Sequence, residues 1–446
     1  MPIKVGFVSL GCPKNLVNTE NMLAILAQNG FEIVAEDVEA DVIVINTCAF
    51  IESAKKEAID NILDVAWLKE NHTLKGIVVT GCLPERYKEE ILKEMPEVDC
   101  ILGTGSFGNI CEAVQAAYEG KKYSSFEDKN TSNIGGERVI TTPEYFAYLQ
   151  IAEGCDNHCT YCVIPSIRGR FRSRPMSDIL EEARNLADLG VKELCLIAQD
   201  TTRYGEDLYG VYSLDSLIHG ISEIEGIEWI RVMYCYPDRI TDGLINEFAT
   251  NPKLVKYIDM PIQHISTPVL KRMNRRDTEE SIRSVVKKLR EAVPGMYIRT
   301  TVITGFPGET DADFDKLLSF IKETRFERLG AFIYSREEGT PAYDMPDQVP
   351  EKLKRRRHDA IMREQKRIHD SINKNSVGKI IRVINEGYDQ VAESYYGRSF
   401  ADAPEIDGKI YFRSDARIAA GSFVKVKIRE VLDYDLIGRV VSDSIK

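Results

Sequence analysis

No apolar run in these 446 residues is long enough to cross a membrane, which excludes a helical membrane protein. The amino terminus, Met-Pro-Ile-Lys-Val-Gly-Phe-Val, reads straight into a strand and lacks the layout of a signal peptide. Positive charge is also in short supply: 58 Lys and Arg stand against 70 Asp and Glu, for a net charge of -12. A protein whose main partner is nucleic acid needs a basic surface. The balance therefore argues against nucleic acid as the main substrate and leaves room for a basic protein partner. Ten cysteines without an export signal fit a reducing, cytoplasmic setting and metal ligation better than disulfides.

What the chain does have is cysteine in two patterns. Cys155, Cys159 and Cys162 lie on one loop that leaves a strand-like segment, 144–152. Three thiolates that close together suit an iron–sulfur cluster or zinc. A structural zinc site wants four closed ligands, and His158, directly before Cys159, is poorly placed to join the same metal. The count of three favours an iron–sulfur cluster with one iron left open. In the second pattern, Cys12, Cys48 and Cys82 each follow an apolar strand, at 4–10, 41–46 and 75–80. Helical segments alternate with those strands, so an open parallel sheet is expected. Ligands of such sheets gather beyond the carboxyl ends of the strands. The three cysteines thus predict one shared site, although each alone reads equally as a buried core cysteine. Cys100, Cys111, Cys195 and Cys235 lack such spacing and read as core.

At 446 residues the chain calls for two to four domains. A Ser-, Asn-, Thr- and Gly-rich stretch, 124–142, reads as a linker. A second αβ series follows, with a helix at 177–189 capped by Ser177 and strands at 192–198, 228–235, 256–262, 296–304 and 329–334. With the opening strand these make six, too few for a closed eight-stranded barrel. Their carboxyl ends nominate Gln199, Asp200, Tyr236, Gln263, His264, the turn 304–310 and Tyr334 to Glu337. His264 and Tyr334 are the candidate catalytic side chains. Glu193 and Arg299 are charges within strands, facing either a ligand or a partner inside the barrel. The basic helix at 350–374 reads as a solvated face. Five short strands after 378 suggest a small closed barrel of the OB type, and the acidic stretch 397–407 suggests that it meets a basic protein.

The Cys155-Cys159-Cys162 spacing, with Tyr161 before the last cysteine, resembles the radical S-adenosylmethionine (SAM) enzymes. Together with the cysteine-bearing first sheet and the last barrel, the whole chain resembles the methylthiotransferase family within that group. The resemblance implies an α/β fold in three units. These are an N-terminal open parallel sheet domain (1–135), a partial (β/α)6 radical SAM core with a connecting helix (141–373), and a five-stranded antiparallel OB-like barrel, the TRAM domain (374–446). It implies two 4Fe-4S clusters, one on Cys155, Cys159 and Cys162 and an auxiliary one on Cys12, Cys48 and Cys82. It also implies two SAM molecules per turnover, with Tyr161, Glu193, Gln199, Gln263 and Arg299 as candidate SAM contacts.

Within the family, one branch modifies an adenosine of transfer RNA and another an aspartate of small-subunit ribosomal protein S-twelve. Here Gly11-Cys-Pro-Lys-Asn15 stands where the transfer-RNA branch has Gly-Cys-Gln-Met-Asn, and Gln199-Asp-Thr-Thr202 where it has Gln-Asn-Val-Asn. The resemblance therefore points to methylthiolation of the aspartate β-carbon, served by a sulfur donor and an electron donor. Transfer-RNA methylthiolation is the alternative within the family. A two-cluster electron-transfer protein is the alternative outside it.

Overall fold

The computed structural model describes residues 1–441; the last five residues of the expected third unit lie outside them. The first sheet has six strands, all parallel, in the order Glu32–Ile33, Lys4–Ser9, Val42–Thr47, Gly76–Gly81, Cys100–Leu102, Tyr123–Ser125. Alternation along its central strands divides the core. Val42, Val44 and Val78 pack under the helices Pro13–Gln28 and Ile110–Tyr118. Ile43, Ile45, Ile77 and Val79 pack under the helix Glu52–Asn71. Burial on both faces is why these strands read as unbroken apolar runs. The register pairs Ser9 with Asn46 and Thr47 with Gly81, so the chain leaves three neighbouring strands at one edge, beside Cys12, Cys48 and Cys82.

The second sheet carries six parallel strands in strict chain order: Phe146–Gln150, Glu193–Ile197, Trp229–Val232, Leu254–Asp259, Tyr297–Thr304 and Arg328–Ile333. Leu194 and Leu196 face the helices, while Cys195 and Ile197 face inward against Tyr148, Met233 and Tyr257. The helix after the cysteine loop runs from Met176 to Asp188 with Pro175 at its cap. Ser177 is therefore inside it, corrected from its expected capping place, and its hydroxyl bonds Asp178 instead. Proline opens the helix because its fixed φ suits the entry and its missing N–H is not needed there.

The segment expected as a linker begins inside the first sheet, since Ser124 and Ser125 are strand residues. Its remainder is tied down: Lys129 pairs with Glu85, Arg172 donates to the Lys129 and Ser132 carbonyls, and Thr141 donates to Glu20. The helix Glu351–Lys374 is also less solvated than its charge suggests. Arg357 pairs with Glu309 and Asp311, and Lys354 is buried with its ammonium on the Tyr334 carbonyl.

The last unit closes as a five-stranded barrel: Ile380–Asp389, Ser394–Ser399, Ile410–Arg413, Asp435–Val440 and Phe423–Leu432, in ring order. It is not wholly antiparallel, because Ile410–Arg413 and Asp435–Val440 run parallel. A ring with an odd number of strands cannot alternate direction throughout, so one parallel pair is forced. Its acidic stretch is in part engaged by the second sheet, although Glu405 stays exposed. Asp402 pairs with Arg328, while Glu405 and Asp407 accept from the hydroxyls of Tyr148 and Tyr257. Each of those acids has a partner on the second sheet, so the stretch is less free than the composition suggested.

Candidate functional site

The carboxyl edges of the two parallel sheets meet across a cavity of about 350 Å3. All six patterned cysteines line it: Cys12, Cys48 and Cys82 from the first sheet, and Cys155, Cys159 and Cys162 from the loop after the first strand of the second. All ten cysteines are free thiols. Among the described residues, no three His, Cys, Asp or Glu side chains converge closely enough to hold a single metal ion; the sulfurs ring a space instead. A larger groove, about 670 Å3, lies on the C-terminal barrel, but no cysteine lines it.

Two glycines set the approach of the thiols. Gly11 has φ +95°, and a Cβ there would stand 2.8 Å from that of Cys48. Gly154 has φ +78°, and a Cβ there would meet the Arg170 carbonyl at 1.9 Å. Only glycine accepts both the dihedral and the contact. Asn15 stitches the first-sheet loops together by donating to the Leu10 and Thr47 carbonyls. On the second loop Asn157 donates to Asp200 at 2.9 Å and to the Cys155 sulfur at 3.4 Å, and the Ile164 N–H points at the Cys162 sulfur. Such donors favour the thiolate form.

Arg168 joins the two sets. Its guanidinium donates to Asn18, Asn15 and Glu153 and lies 3.7 Å from the Cys82 sulfur. Burial opposes ionisation of the Cys12 thiol, but Lys14, Arg168 and backbone N–H groups together bring it below its ordinary value. Burial raises Cys48 to about 12, with the nearby Cys82 adding to it, and raises Cys155 to about 11.

Three of the expected cofactor contacts, Tyr161, Gln199 and Gln263, line the cavity. Gln199 donates to Glu153, and Gln263 holds a left-handed backbone at φ 65° with its side-chain oxygen unpaired. The other two do not reach it. Glu193 begins its strand at the opposite end of the sheet, where Arg231 (2.8 Å) and Arg398 (2.7 Å) take its carboxylate. Arg299 is turned to Asp259 at 2.7 Å. The expectation that these two meet a cofactor is corrected: a charge inside a strand found an internal partner.

The candidate catalytic pair also lies outside the cavity lining. His264 is fully buried, its Nδ1 accepts from the Ser266 N–H, and burial lowers its pKa to about 4. Tyr334 is packed edge-on against Phe306 behind Tyr161. The turn 304–310 does cradle an anion, but that anion is the chain's own Glu309, which accepts from the Gly305 and Phe306 N–H groups. Sequence reasoning missed Lys14, Arg168, Tyr234 and Arg275, all in the cavity wall. For the first two the signal was present, as cations two and six residues from a patterned cysteine.

Three family models match the chain. Residues 4–103 match the uncharacterized protein family UPF0004, residues 149–321 the radical SAM superfamily and residues 377–441 the TRAM domain. Among curated relatives, the ribosomal protein uS12 methylthiotransferase RimO of Thermoanaerobacter sp. (strain X514) is 49% identical over 435 residues, covering 97% of this chain and 99% of the relative. That of Geotalea uraniireducens is 51% identical, covering 98% of each. Among solved structures, the radical SAM methyltransferase TsrM from Kitasatospora setae, with cobalamin and a 4Fe-4S cluster bound, superposes with a TM-score of 0.57 at 14% identity over 77% of each chain. At that identity the likeness is one of fold.

Proposed function

The chain belongs to the family of ribosomal protein uS12 methylthiotransferases, and from that premise we propose that it adds a methylthio group to the β-carbon of an aspartate in ribosomal protein uS12. The observation that carries the mechanism is the gathering of two three-cysteine sets around one cavity. A 4Fe-4S cluster on three thiolates keeps one iron open, so two such sets suit two clusters with two open irons. The ring of sulfurs and the N–H donors aimed at sulfur support that fit. When bound, the clusters and SAM supply the one-electron chemistry that breaks an unactivated C–H bond, which side chains alone cannot do.

The chain's own residues do the rest. Cys155, Cys159 and Cys162 would hold the SAM-side cluster, and Cys12, Cys48 and Cys82 the auxiliary one, which would supply the sulfur chemistry. Tyr161, Gln199 and Gln263, which line the cavity, would contact SAM. Arg168 bridges the two sets, and the largely apolar wall would limit the water that meets a radical step. The reading assigns 1–135 to the auxiliary cluster, 141–373 to the radical SAM core and 374–446 to the TRAM barrel. It requires two SAM molecules per turnover, a sulfur donor and an electron donor, and places the reaction in the cytoplasm. No helix among the described residues is long and apolar enough to cross a membrane.

The test offers anaerobically reconstituted protein, with reductant, SAM and sulfide, either uS12 or unmodified transfer RNA, and seeks the methylthio adduct by mass spectrometry. An adduct on the uS12 aspartate is expected. An adduct on the RNA alone, or none with intact clusters, overturns the reading. Replacing Cys12, Cys48 and Cys82 together by alanine is expected to remove about half of the bound iron.

A further inference from the structure

Three cations line the cavity: Lys14, Arg168 and Arg275. Two are engaged. Arg168 is held by Glu153, Asn18 and Asn15, and Arg275 pairs with Asp277 at 3.0 Å while donating to the Pro261 carbonyl. Lys14 differs. It is 7% exposed, and among the described residues no carboxylate lies within ion-pair distance of its ammonium. Glu153, an acid whose charge reaches it, is already shared by Arg168, Gln150, Gln199 and the Gly154 N–H. The ammonium sits 3.4 Å from the centre of the Tyr234 ring. Its neighbours are the Tyr234 side chain and the Cys12 sulfur rather than a carboxylate, and a cation–π contact offsets only part of the cost of burying an ammonium. Of the three cations in the wall, Lys14 is thus the one that no carboxylate of the described residues pairs.

Its position says which carboxylate fits. Lys14 stands two residues from Cys12, in the first turn of the helix Pro13–Gln28, on the side of the auxiliary cysteine set. The carbon that receives sulfur has to come to that side. In an aspartate the β-carbon is bonded directly to the side-chain carboxylate, so a cation beside the auxiliary set places that carbon within reach of it. We infer that Lys14 binds the side-chain carboxylate of the substrate aspartate and so orients its β-carbon. The inference rests on the function proposed above. The other carboxylate able to enter the cavity is the methionyl carboxylate of SAM, and the test separates the two.

Peptides spanning the uS12 target, one with the aspartate and one with asparagine in its place, are titrated into reconstituted protein without reductant, so that binding is read in the absence of turnover. Wild-type protein is expected to bind the aspartate peptide about tenfold more tightly than the asparagine peptide, the worth of one charge-assisted hydrogen bond. Lys14→Met is expected to bind both alike, and Lys14→Arg to keep the preference. Iron content and circular dichroism show whether each variant has kept its clusters and fold. No preference in wild-type protein overturns the inference whatever the variants do. So does an unchanged preference in Lys14→Met. If Lys14→Met instead loses affinity for SAM while keeping the peptide preference, Lys14 serves the SAM carboxylate and the assignment to substrate falls. If wild-type protein binds the aspartate peptide selectively yet never modifies it under reducing conditions, the failure lies with the proposed reaction and not with Lys14.

Discussion

Gly154 shows how narrowly the cysteine loop is defined. Alanine there would need a left-handed backbone at φ +78° and a Cβ at 1.9 Å from the Arg170 carbonyl. Gly154→Ala is expected to cost more than about 1 kcal/mol of stability and to lower the iron retained after reconstitution, read by denaturant titration and iron assay. Reading the residues in order found all six lining cysteines, because their spacing and their places after strands are one-dimensional facts. It erred on Glu193 and Arg299, because a strand's chemistry depends on which end a residue occupies and which neighbour answers its charge. Arg168 and Lys14 stood near patterned cysteines in the sequence, but which groups they meet across the cavity is set by the fold.

At the scale of elements, the two sheets are held edge to edge by a few polar clamps. Glu337, beyond the last strand of the second sheet, accepts from the Glu52 N–H at the start of the helix Glu52–Asn71 and pairs with Arg86 (3.1 Å) and Lys55 (3.2 Å). Burial works against its ionisation, but Ser335, Lys55 and Arg86 hold its carboxyl below the ordinary value of 4.5. The unfolded chain therefore takes up this proton at higher pH than the folded one. The clamp's contribution is complete above about pH 4.5 and is lost as pH falls through the lower native value. Glu337→Gln is expected to lower stability by about 1–3 kcal/mol at pH 7. The gap from wild type should close as the pH is lowered past 4, as measured by urea unfolding across that range. The parallel character of both sheets was legible from the alternation of apolar strands with helices, whereas the short strands Glu32–Ile33, Cys100–Leu102 and Tyr123–Ser125 of the first sheet were not. Which helix charges were spent internally, as with Lys354 and Arg357, was not, since a charge run looks the same whether or not acids wait beside it.

On the scale of the molecule, the C-terminal barrel is fastened to the amino-terminal ends of the second sheet, away from the cysteines. Glu193 binds Arg231 and Arg398, which are 0% and 2% exposed. Removing the shared acid leaves two buried guanidinium groups short of a partner. Glu193→Leu is expected to cost about 3–5 kcal/mol, and limited proteolysis should then cut between the long helix and the barrel sooner than in wild-type protein. The composition had suggested an acidic barrel presented to a basic partner. The acids at 402, 405 and 407 instead serve this joint, and a net charge cannot show on which side of an interface its members lie.

Arg168 grows from the loop of one cysteine set and ends against Asn15 and the Cys82 sulfur of the other. Neither half therefore owns a complete wall. A chimera joining this first sheet to the core of another protein would bring six thiols together on paper, yet it would keep the chamber only if the borrowed core supplied the same reach. In the language of modular construction, the seam itself is the part that must be inherited whole.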